Sequence, residues 1–205
     1  MVLSESVRQD YTESGMVLSV TIRERLWDMA LDQHGYVTTR DARALGISGV
    51  ELTKLAHRAK LIREAQGVYR FPEYPVSPKG QLMEAVLWTG DPLAVLSHDT
   101  ALDVYELSDI NPNVIHVTIP RREKPIRRTN MPAEYVVHYQ NLRPDQRYYW
   151  EQIPCVTVET AIDQVIAARV RPDLIEQAIE QAEEQGLIHR DTAARQRMAY
   201  KQAFT

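Results

Sequence analysis

A single cysteine in 205 residues, Cys155, rules out an intramolecular disulfide and any zinc ribbon built from thiolates. It reads as a packing residue. Glycine is sparse too: eight residues, dispersed, so no glycine-rich phosphate loop can be assembled, and no Gly-x-Ser-x-Gly elbow is present. No apolar run approaches the roughly 18 residues of a membrane span, and the N-terminus has no signal-type apolar stretch. The expected location is the cytoplasm. The six histidines show no metal-ligand spacing. His98-Asp99 reads as a pair at a helix start, and Asp99, Asp103 and Asp109 read as surface carboxylates. Neither a metal nor a cofactor is expected, and no residue set offers a nucleophile, so the chain does not read as an enzyme.

What is present is an ordinary globular composition, 44% hydrophobic and 25% charged, whose net charge of −4 hides segregation along the chain. Residues 20–71 carry nine Lys/Arg against six Asp/Glu, and residues 121–128 carry five basic residues against one acid. Residues 172–186 hold five acids and no base. That acidic helix should face water or a basic partner.

The basic N-terminal stretch has the spacing of a winged helix-turn-helix. A first helix is predicted over 20–33, with Ile22, Leu26, Met29 and Ala30 on one stripe and Gly35 ending it. A second starts at Thr38-Thr39-Arg40-Asp41 and a third at Ser48-Gly49-Val50-Glu51, each a hydroxyl residue with an acid three positions on. Leu45-Gly46-Ile47 joins them, a short glycine-containing turn of the kind this motif uses. Gly67 then sits between two β-prone segments in 61–71, the pattern of a wing. Leu52, Leu55, Ala56 and Ala59 form the buried stripe of the third helix. Lys54 and Arg58, at i, i+4 on another face, are placed to reach phosphates or guanine edges, and Thr53 to touch a base. Thr39, Arg40, Ser48, His57 and Lys60 complete the candidate DNA-binding set around these helices, with Arg63, Gln66 and Arg70 on the wing. A merely solvated basic face is the alternative. Tyr69 reads as core beneath the wing.

Residues 1–19 are expected as a flexible arm, 20–75 as the DNA-binding domain, and 80–205 as an α+β domain. Pro72, Pro75 and Pro78 predict an extended linker between them, so that the winged helix folds as a separate piece. The second half reads as helices over 81–88 and 97–107, strands over 114–119 and 135–139, further strands near 147–150 and 155–157, and helices over 158–168, 172–185 and from about 191. The strands at 114–119 and 135–139 can pair antiparallel around the basic loop. In that loop Arg121, Arg122, Lys124, Arg127 and Arg128 would attract phosphates. It could instead be a solvated loop, or pair with the acidic helix of another copy.

The segments GYVTTRDARALGIS and LIREAQGVYRF resemble the N-terminal domain of AbiEi-family antitoxins. LSHDTALDVYEL, NVIHVTIPRR and IPCVTVETAIDQVI resemble the second domain of such proteins, so the resemblance covers about residues 20–200. It implies a winged helix that binds operator DNA and represses the operon of the antitoxin and its nucleotidyltransferase toxin. It also implies a C-terminal domain that neutralises the toxin or supports DNA binding, in a monomer or homodimer. Two other readings stay open: a stand-alone transcriptional regulator with a dimerisation domain, and a DNA-processing enzyme, which would need an acid cluster that the sequence does not display.

Overall fold

The computed structural model describes residues 20–122 and 132–204. Helix α1 (Ile22–Leu31) begins at a complete capping box, in which the Thr21 hydroxyl accepts from the Glu24 amide and the Glu24 carboxylate from the Thr21 amide. Strand β1 (Tyr36–Thr38), helix α2 (Thr39–Ala44) and helix α3 (Gly49–His57) follow. A hairpin of β2 (Ile62–Ala65) and β3 (Val68–Arg70) closes the unit. The small antiparallel sheet has the order β1-β3-β2, and Gln66-Gly67 turns the hairpin with Gly67 at φ +75°. Leu26, Ala30, Val37, Ala42, Ile47, Leu52, Leu61, Tyr69 and Phe71 pack into one core.

The second unit starts at α4 (Pro78–Trp88) and builds a five-stranded mixed sheet from β4 (Val95–Leu96), β5 (Ile115–Ile119), β6 (Tyr135–Tyr139), β7 (Arg147–Trp150) and β8 (Ile153–Val156). The order is β6-β5-β4-β8-β7. Helices α5 (His98–Val104), α6 (Val158–Ala167), α7 (Pro172–Glu184) and α8 (Arg190–Ala203) pack with it around a larger core. Pro172 occupies the first turn of α7, where its missing amide costs nothing. The acidic residues Glu176, Glu180 and Glu184 are exposed, and Glu183 pairs with Arg197 of α8 at 2.7 Å. Cys155 is fully buried in β8. The architecture is α+β, a winged helix-turn-helix followed by a mixed α+β unit, and no helix of the described residues is long and apolar enough to cross a membrane.

Three expectations are corrected. Strands β5 and β6 pair in parallel, with Val117 opposite Val137, not as a hairpin. Residues 120–134 are enough for the return that a parallel pair requires, roughly a dozen residues or more. The proline-rich stretch is not an extended linker throughout. Ser77 caps α4 by accepting from the Gly80 amide, and Pro78 stands at the helix's first position. The two units also touch directly: Tyr36 and Val68 belong to the larger core, Lys79 pairs with Glu151 at 2.7 Å, and His34 Nε2 bonds the Glu151 carbonyl at 2.9 Å. Finally, α3 stops at His57, and Ala59, expected on its buried stripe, is exposed at φ +52°.

Candidate nucleic-acid interface

The turn between α2 and α3 is set by backbone hydrogen bonds. The Ile47 amide donates to Ala42 and the Gly46 amide to Arg43, at 2.8 and 2.9 Å, with Gly46 at φ +72°. This is a Schellman closure with glycine at its left-handed position. Arg25 of α1 adds a hydrogen bond from Nη2 to the Leu45 carbonyl at 2.7 Å. Thr38 caps α2 with a complete box to Asp41, and Ser48 caps α3 by accepting from the Glu51 amide. With Leu52 fully buried and Leu55 and Ala56 packed beside it, α3 presents Val50, Thr53, Lys54 and His57 outward, at i, i+3, i+4 and i+7. Arg58 follows at its C-cap.

All five of these outward residues are exposed. Lys54 reaches Glu51 at 2.7 Å, a surface pair worth about 0–1 kcal/mol that a phosphate can displace. Thr53 is exposed and donates its hydroxyl to the Gly49 carbonyl. Thr53 and His57 line a groove of about 600 Å³ together with Arg63 of β2, so the helix and the wing share one surface. Lys60 is exposed at the junction between them. Val50 was not in the expected set. Its exposure of 62% at the start of α3 makes it an apolar group aimed at solvent, suited to a thymine methyl, and only the helical phase set by the Ser48 cap shows it.

Other members of the set are placed differently. The Thr39 amide donates to the Gly67 carbonyl at 2.9 Å, which anchors the wing tip to α2. A Cβ on Gly67 would lie 2.8 Å from the Thr39 hydroxyl, so this approach needs glycine. Ser48 serves as the cap of α3. Arg40 is exposed but lines a cleft shared with Met83, Asp91 and Tyr149 of the second unit. Arg70 is turned inward: its Nε donates to Glu64 at 2.8 Å, and its side chain is 13% exposed. It braces the wing. Gln66 is exposed at the tip.

In the basic loop, Arg121 donates through Nε to the Tyr139 carbonyl, and Arg122 holds Asp91 with two hydrogen bonds of 2.7 and 3.0 Å. The Asp91 side chain has no exposure, so Arg122 neutralises a buried carboxylate and is not a free phosphate ligand. Lys124, Arg127 and Arg128 lie outside the described residues.

Two capped helices, a glycine turn, an outward stripe on the second of them and an adjoining β-wing define a winged helix-turn-helix fold. The model of the family described as "Transcriptional regulator, AbiEi antitoxin" matches residues 24–72, so the winged helix is similar to that family over this segment. No curated protein matches the chain in sequence. The crystal structure of the RV2827C protein from Mycobacterium tuberculosis is similar over 88% of this chain and 80% of that one, at 14% identity and a TM-score of 0.40.

Proposed function

We propose that the chain is a cytoplasmic antitoxin and autorepressor that binds operator DNA through α3 and the wing and counteracts a nucleotidyltransferase toxin. It acts by binding, without catalysis. The observation that carries this reading is the single surface formed by Val50, Thr53, Lys54, His57 and Arg58 on α3 beside Lys60 and Arg63. A helix laid in the major groove presents such a stripe to base edges, while cations on its flank and on the wing meet phosphates. Val50 and Thr53 read bases, Lys54 and Arg58 take a base or a phosphate, and Gln66 reaches the backbone or minor groove. Thr39, Ser48 and Arg70 position these groups, and Arg40 is a peripheral phosphate contact. Lys124, Arg127 and Arg128 add non-specific attraction through charge. The nucleotidyltransferase toxin is proposed from the resemblance to AbiEi-family antitoxins alone.

The test is a gel shift with the DNA upstream of the chain's own gene. Lys54→Glu with Arg58→Glu should weaken binding by at least about tenfold at low salt, since two favourable phosphate-range charges become repulsive. Unchanged affinity would overturn the assignment of α3. Co-expression with the product of the adjacent gene tests the antitoxin role separately, because loss of rescue need not follow loss of DNA binding.

A further inference from the structure

Outside the winged helix, the mixed sheet and the helix that follows β4 gather three histidines that are distant in sequence. His98 opens α5 directly after β4, His116 lies on β5 and His138 on β6, and these strands are neighbours in the order β6-β5-β4. In the parallel register His138 stands opposite Thr118, two residues from His116, so His116, Thr118 and His138 share one face of the sheet. One ring nitrogen from each histidine lies within 4.8 Å of the other two. His116 Nδ1 and His138 Nε2 are 2.9 Å apart, and the rings of His98 and His138 stack with centroids at 3.7 Å. We propose that His98, His116 and His138 form a binding site for one divalent transition-metal ion of the zinc class.

Four features support the site. Imidazole nitrogen is the donor that suits zinc and its neighbours, and three histidines with an open fourth position form a known zinc coordination set. The separation of 2.9 Å between His116 and His138 opens to the roughly 3.3 Å of two nitrogens on one tetrahedral zinc by a shift of a few tenths of an ångström, given Zn–N bonds of about 2.0–2.1 Å. His98 Nδ1 is held by Ser97 Oγ at 3.0 Å, and Ser97 in turn accepts from the Thr118 hydroxyl at 2.8 Å. That contact leaves His98 Nε2, which has no hydrogen bond to any described residue, as the metal-facing atom, in the manner of an outer-shell hydroxyl that orients a ligand. His98 is also held at φ +52°, a left-handed backbone costly for a residue with a side chain, which fixes where its Cβ stands, and a side-chain rotation out of the stack with His138 aims its ring at the shared ion.

Burial keeps the three imidazoles neutral at physiological pH: it lowers His98 to about 3 and His138 to about 4, and lowers His116 against the opposing pull of Asp99. Without an ion, His116 Nδ1 and His138 Nε2 share one proton in their hydrogen bond, so binding requires that this proton move to another ring nitrogen. A cleft of about 580 Å³, lined by His98, His138, Gln140, Thr160, Asp163 and Gln164, reaches the cluster from outside. It admits the ion and leaves room for a water at the fourth position. A bound ion would tie β5 and β6 to the start of α5.

The experiment uses the full chain without an affinity tag, stripped with a chelator and titrated with Zn²⁺ and with Co²⁺. The expected result is one ion per chain, a visible ligand-field band for Co²⁺, and a higher melting temperature with Zn²⁺ than in chelator. His98→Gln, His116→Gln and His138→Gln should each lower affinity at least about 100-fold, and Ser97→Ala about 10- to 100-fold. His189→Gln, at the exposed start of α8, should leave binding unchanged. Should a buried variant fail to fold, His138→Gln on the edge strand β6 decides, with its melting in chelator matched to the parent. Absence of stoichiometric binding, equal binding by His138→Gln and the parent, or loss of binding in His189→Gln overturns the site.

Discussion

The hydroxyl of Tyr36 donates to the carboxylate of Glu84 across 2.9 Å, joining the first strand of the winged helix to the first helix of the second unit. Burial is the largest influence on Glu84 and raises its carboxyl above the ordinary value of 4.5, while the bond from Tyr36 pulls the other way. A carboxyl raised in the folded state contributes its full stability below the unfolded value and loses it as pH climbs through the folded value. Glu84→Gln removes that loss and keeps an acceptor for Tyr36. Its melting temperature relative to the parent should therefore climb as pH rises above about 4.5. Calorimetry across this range checks it, and a pH-independent difference would place Glu84 in water.

Ala59 ends α3 in the position that glycine normally takes: the Lys60 amide donates to Leu55 and the Ala59 amide to Ala56, both at 2.9 Å. The left-handed backbone costs an alanine about 1–2 kcal/mol, more than the extra freedom a glycine loses on folding. Ala59→Gly should stabilise the protein by about 0.5–1 kcal/mol in chemical denaturation. Operator affinity should not change.

Arg122 and the buried Asp91 give a charge-pair prediction. Arg122→Ser strands a carboxylate without exposure, so it should lower the melting temperature more than Arg121→Ser. Adding Asp91→Asn should recover part of the loss, because the amide oxygen can still accept from the Leu93 amide. Thermal unfolding of the three variants measures the order.

Lys60 and Arg63 are proposed phosphate contacts, so their removal should act alike on all sequences. Lys60→Ser with Arg63→Ser should flatten the slope of log K against log salt by about two units on operator and random DNA together. A change confined to the operator would make one of them a base reader.

The fragment of residues 20–75 retains its own core but uncovers Tyr36 and Val68, which pack against the second unit. We propose that it folds alone with a lower melting temperature than the same unit in the full chain. Circular dichroism on the fragment tests this, and an unfolded fragment would make the two units one cooperative structure.

Much of this molecule can be read from short-range chemistry. Thr38 with Asp41, Ser48 with Glu51 and the turn at Gly46 announce the helix-turn-helix because caps act within four residues. Helix ends were harder to see. Ala59, Glu106 and Arg169 adopt φ between 52° and 54° without being glycine, so α3 and α5 look longer in sequence than they are. Pairing direction was not legible either, since the alternation of apolar residues in β5 and β6 is the same for both directions. The histidine cluster depends on that direction. Its members meet only once β4, β5 and β6 are laid side by side, and nothing in their spacing along the chain foretells it. The same holds for Arg122, whose partner lies 31 residues away in a buried turn.

Cys155 gives the second unit an internal clock. Its thiol lies in β8 between β4 and β7, fully covered, and burial pushes its ionisation up to about 12. Oxidants and alkylating reagents act on thiolates they can reach, so Cys155 is shielded from both in the native protein, and each labelling event reports one opening around β8. The rate of thiol capture in a test tube thus counts how often the sheet comes apart around β8.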